Sequence, residues 1–86
     1  MTSVQALAEA RRAGVTGRFY VVAHARDRQR QRGMQRADIQ EGLRTAIRAD
    51  AQENHRWRLF GGRDLGGDNL TLIVVFENGV VVITVY

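Results

Sequence analysis

Between residues 24 and 33 the chain reads His24-Ala25-Arg26-Asp27-Arg28-Gln29-Arg30-Gln31-Arg32-Gly33, four arginines and a histidine against one aspartate. No proline or β-branched residue interrupts it, and Gly33 stands where a helix can end, so a short helix is predicted here. Residues four apart are neighbours on one helical face. His24, Arg28 and Arg32 have that spacing, which puts one titratable ring and two permanent cations on a single stripe. Such a stripe suits a phosphate that gains charge during a reaction. Metal-free RNA cleavage by transesterification is a reaction of that kind. It needs a base for the ribose 2′-OH, an acid for the departing 5′-oxygen, and cations for the charge on the phosphorane. Histidine is the side chain that titrates nearest neutrality, which makes His24 the candidate acid or base. Arg28 and Arg32 are the candidate phosphate clamp. The plainer alternatives are a His24 bonded to nearby backbone, and arginines paired with Asp27, Glu41 or Glu53.

The rest of the composition agrees with a phosphate-bearing partner. The net charge is +4, and all thirteen basic residues are Arg, with no Lys. Arg stays charged at all physiological pH values, forks onto phosphate with two hydrogen bonds and stacks on bases. A lysine base or Schiff base is excluded. A basic surface favours nucleic acid or an acidic protein. Cysteine is absent, so disulfides and thiolate metal sites are excluded, and two histidines make a poor zinc site. No cofactor is expected. With 86 residues, 44% of them hydrophobic, one domain over 1–86 with one modest core is expected. No apolar run approaches the ~20 residues of a membrane span, and no secretory leader opens the chain, so a cytoplasmic protein is expected.

The elements that must carry these residues are legible in outline. Thr2 to Ala13 reads as a first helix, with Thr2 and Gln5 at capping-box spacing and Gly14 as its stop. Arg18 to Val22 reads as a short strand leading to His24. A third helix is expected from Asp38, with Asp38 and Glu41 as its capping pair and Ile39, Leu43, Ala46 and Ile47 as its buried stripe. After His55 the period becomes strand-like: Arg56–Phe60, a glycine-rich loop over 61–69, Leu70–Glu77 and Val80–Tyr86. Asn78-Gly79 predicts a two-residue hairpin turn. That turn pairs Val75 with Val82, Ile73 with Thr84 and Thr71 with Tyr86. Leu72, Val74, Phe76, Val81, Ile83 and Val85 then form one apolar face. Thr71, Thr84 and Tyr86 form a polar corner on the other, and Thr84 and Tyr86 join His24, Arg28 and Arg32 as candidate catalytic residues. Arg26, Arg36, Arg56, Arg58 and Arg63 are candidates for holding RNA phosphates. Trp57 is a candidate base-stacking platform.

His24-Ala25, Arg28 and Arg32-Gly33, followed by Trp57, Phe60-Gly61, Leu72-Ile73-Val74-Val75 and Val82-Ile83-Thr84-Val85-Tyr86, form a string with a family likeness. It resembles the small proteins with an HAxxRxxxRG signature that are grouped with RelE-like and MqsR-like toxins, from about Tyr20 to Tyr86. Gln29 stands where an apolar residue is usual. The resemblance implies an α+β fold, with N-terminal helices packed on a curved antiparallel sheet of three to four strands. It further implies a toxin of a toxin–antitoxin pair, an endoribonuclease cutting messenger RNA, often on the ribosome, with a cognate antitoxin protein as partner. The alternative is a non-catalytic module that binds RNA or protein in a regulatory complex.

Overall fold

The computed structural model describes residues 1–86. Three helices and five strands follow in the order α1 (Ser3–Thr16), β1 (Phe19–Val21), α2 (Ala23–Gln31), α3 (Arg36–Thr45), β2 (Arg48–Ala51), β3 (Trp57–Arg63), β4 (Asn69–Phe76) and β5 (Val80–Val85). This is an α+β fold. The sheet has five strands rather than three or four, and it is mixed rather than wholly antiparallel. Its order is β1-β5-β4-β3-β2, with β1 parallel to β5 and the other pairs antiparallel. The core lies between the helices and one sheet face, where Ala6, Ala10, Ile39, Leu43, Leu59, Leu72, Val74, Val82 and Val85 are almost wholly buried. No helix is long and apolar enough to cross a membrane.

Helix α1 begins as expected: Gln5 N donates to Thr2 Oγ1 at 3.1 Å and Thr2 N to Gln5 Oε1 at 2.8 Å. It does not stop at Gly14. It runs to Thr16, and Gly17 closes it with a left-handed φ of +76°. Gly14 instead lies where α1 crosses α3, so close that a Cβ there would run into the backbone of Arg44. Helix α3 also starts earlier than expected. Gln35 is its cap, and Asp38 sits inside the first turn, accepting from Gln35 N at 2.8 Å. Glu41 is therefore no capping partner of Asp38; it pairs with Arg44. Ile39, Leu43 and Ala46 are fully buried, but Ile47 is 67% exposed. Ala46 has already left the helix, with ψ at 140°, so Ile47 no longer follows the helical period.

Strand β2 pairs Arg48–Ala51 with Trp57–Phe60. Beyond it, β3 continues through Gly61 and Gly62, which had been read as loop, to Arg63. The register shifts between Leu59 and Gly62. The connection that remains is tied down: Asp64 N donates to Asp68 O, Arg63 to Gly67 O, and Leu65 N to Asp38 Oδ1. At the β4–β5 hairpin, Phe76 pairs with Val80, so the loop holds three residues, not two. A bulge between Ile73 and Val74 then restores the expected Ile73–Thr84 pairing. Its effect is to bury Val80 and Val82 in place of Val81 and Ile83, because a one-residue shift exchanges the faces of a strand.

Candidate functional site

Side chains alternate across a sheet, so the buried Leu59, Leu72 and Val85 leave Arg58, Phe60, Thr71, Ile73 and Thr84 on the face turned away from the core. Arg58, Ile73 and Thr84 are register partners across three strands. The end of the chain adds Tyr86, whose N–H donates to Thr71 O at 2.9 Å. The expected polar corner is thus present. It opens into a cleft of about 320 Å³ lined by Arg58, Thr84 and Tyr86 together with Glu53, Asn54 and Arg56 from the β2–β3 turn. A smaller hollow beside it lies among Arg58, Phe60, Thr71 and Tyr86.

Arg58 is the centre of this arrangement. Its guanidinium lies 5.8 Å from the Phe60 ring centroid and 5.7 Å from that of Tyr86. Its Nε is buried and has no hydrogen-bond partner. The molecule's four ion pairs are Arg12–Glu9, Arg30–Asp27, Arg44–Glu41 and Arg48–Asp50, so no carboxylate lies within ion-pair distance of Arg58. A desolvated donor of fixed charge without a partner is costly.

Helix α2 packs on β5 through Ala25, which is fully buried. Gly33 follows it with φ +67°. His24, Arg28 and Arg32 are all exposed, and Arg28 and Arg32 take no part in the ion pairs with Asp27, Glu41 or Glu53 that were the plain alternative. The three stand outside the cleft that holds Thr84 and Tyr86, although α2 rests on the strand that carries Thr84.

The other arginines divide sharply. Arg26 donates to Val21 O at 3.2 Å. Arg36 donates to Phe19 O at 2.7 Å and Gly17 O at 3.2 Å, and lies 3.8 Å from the Phe19 ring. Arg63 donates to Gly67 O at 2.9 Å. Each of these three donates to at least one backbone carbonyl while remaining exposed. Arg56 and Arg58 face the cleft, and Trp57 lines a separate cavity beyond the turn. Sequence reasoning missed Asn54 and Phe60. Phe60 was findable, since it stands two residues from Arg58 on one strand and so shares its face.

A family model described as a domain of unknown function, DUF4258, matches residues 21–86. The chain belongs to this family. The DUF4258 match takes in α2 and all of the cleft, and leaves out α1 and most of β1. No curated protein and no solved structure matches the chain.

Proposed function

We propose that this DUF4258 protein is the toxin of a toxin–antitoxin pair, a metal-independent endoribonuclease that cuts messenger RNA. The observation that carries the reading is Arg58: a buried, unpartnered guanidinium nitrogen in a cleft that also holds Thr84, Tyr86 and Arg56. The resemblance to RelE-like toxins supports it. A phosphate flanking the cut takes the Arg58 fork. On α2, His24 accepts the proton of a ribose 2′-OH. The 2′-oxygen then bonds to the adjacent phosphorus as the bond to the 5′-oxygen breaks. Arg28 and Arg32 stabilise the phosphorane, and a cyclic 2′,3′-phosphate is left. Solvent supplies the proton that the 5′-oxygen takes up, because Tyr86 lines the cleft and His24 does not. A cytoplasmic site of action and a cognate antitoxin belong to the same reading.

The test is incubation of the purified protein with messenger RNA in EDTA. Cleavage is expected, and His24→Ala is expected to lower it at least a hundredfold, the usual scale for a general acid or base. Cleavage undiminished in His24→Ala removes His24 from the mechanism. One observation favours a second reading, an RNA-binding module without catalysis: His24 does not line the cleft. RNA bound but left intact, with no growth arrest on overexpression, decides for that module.

A further inference from the structure

A second hollow, of about 780 Å³, lies beyond the β2–β3 turn and outside the Arg58 cleft. Its lining includes Trp57 and Phe76 together with His55, Arg56 and Glu77. Gln52, Asn54 and Arg56 line both hollows, so the turn is their shared wall. Asn54 and His55 both hold φ at +60°, in the left-handed region, and the tight turn this makes keeps the wall one hairpin tip thick. The two hollows differ in chemistry. The Arg58 cleft holds the partnerless Arg58 nitrogen together with Arg56 and one carboxylate, Glu53. The larger cavity sets Trp57 and Phe76, which also pack partly against the core, beside Glu77, a carboxylate that belongs to none of the four ion pairs. A carboxylate only accepts hydrogen bonds.

We infer that this cavity is a nucleobase subsite, that it takes an unpaired guanine, and that the turn divides it from the phosphate held by Arg58. The inference rests on the RNA-binding reading above and names its substrate class as single-stranded RNA. Trp57 and Phe76 supply the stacking surface, which any base satisfies. Glu77 supplies the choice. Guanine alone presents two adjacent donors, a ring N–H and an amino group, on its pairing edge, and a carboxylate accepts both. A duplex hides that edge, so paired RNA is excluded.

Trp57 is the only tryptophan, so its fluorescence reports this cavity directly. The experiment titrates the protein with end-labelled RNA hexamers that contain one guanine, one inosine or one adenine at the same position. Label anisotropy reads binding, and tryptophan quenching reads the subsite. The guanine hexamer is expected to quench and to bind about tenfold tighter than the adenine hexamer, the scale of one good bidentate contact. Inosine, which lacks the amino group, should fall between them. Glu77→Gln, on an exposed hairpin loop, should abolish the preference while anisotropy still shows binding. Binding without quenching, or equal quenching by guanine and adenine, overturns the guanine subsite and leaves RNA binding standing. No change in anisotropy with any hexamer overturns both readings.

Discussion

The two faces of this sheet are built on opposite rules. On the core side, small residues let backbones meet: Ala6, Ala10 and Ala13 line α1, and Gly14 brings that helix against the Arg44 backbone. Nothing polar or charged is fully buried there. On the far side, Arg48 stacks on Phe60 at 4.3 Å and Arg58 lies between Phe60 and Tyr86, so cations and rings take the place that aliphatic packing holds opposite. Close packing fixes a shape and leaves no room for a ligand. An arginine face with an orphaned donor leaves binding capacity unspent. On the function proposed above, stability belongs mainly to one face and recognition to the other, and substitutions should separate the two.

The largest effect is expected from the core side. In Gly14→Ala the new methyl meets backbone rather than a movable side-chain tip, so α1 and α3 must part. The helix-propensity gain of up to about 1 kcal/mol is outweighed by overpacking of about 1–3 kcal/mol, and more where backbone must move. A net loss of about 2 kcal/mol is expected in urea unfolding, with RNA affinity of the folded fraction unchanged. An unaltered midpoint would contradict the close crossing of α1 and α3.

The mirror-image experiment is Arg58→Gln. Loss of a charge-assisted hydrogen bond to phosphate costs about 1.5–3 kcal/mol, so RNA affinity should fall about tenfold to a hundredfold. The Arg58 stem also covers its register partner Ile73, only 6% exposed, and Gln retains most of that cover. The unfolding midpoint should therefore move little. If stability drops while RNA affinity holds, Arg58 is a packing residue and the contrast between the faces fails.

How far this contrast could be read from sequence depends on where patterns are one-sided. The Ile39, Leu43, Ala46 stripe is periodic, and those three residues are buried as expected. Val80 to Val85 is apolar or Thr at every position, so neither parity identifies its inner face. A three-residue hairpin loop and a bulge decide it, and no residue type in the run announces a bulge. Strand β2, Arg48-Ala49-Asp50-Ala51, carries a weak alternation with only Ala49 buried, and exists because β3 pairs with it. Thr84 and Tyr86 were legible as a corner because the register away from the turn came out as expected. Arg58 joins them from a strand that sequence order separates by more than twenty residues, and neither its orphaned nitrogen nor the bonding of Arg26, Arg36 and Arg63 to carbonyls has a signature in one dimension.

Arg36 tests the arginines of the other kind. It caps two outward carbonyls at the free edge of β1 and lies flat on Phe19. Arg36→Ala should cost about 1–2 kcal/mol in stability, from the lost bonds and the cation–π contact. It also leaves the β1 edge open to pairing with another chain, an added route to association. RNA affinity should change less than in Arg58→Gln. A larger loss of RNA affinity than stability would place Arg36 on the binding face instead.

The smallest effect concerns acid. Arg44 hydrogen-bonds Glu41 at 2.7 Å through two nitrogens, and this holds the Glu41 carboxyl below the usual carboxylate range against a smaller opposing push from desolvation. A carboxyl whose folded pKa is depressed adds stability above its unfolded pKa, and that share is lost as pH falls through the folded value. The pair is solvent-exposed at its arginine end, so water screens most of it. The unfolding midpoint of the native chain should therefore fall slightly more between pH 5 and pH 3 than that of Glu41→Gln, read by circular dichroism at low salt. The difference should vanish in high salt, because ions screen an exposed pair and leave the close packing of the core side untouched. A difference that survives salt would mean that Glu41 is bound into the packed face rather than resting on its surface.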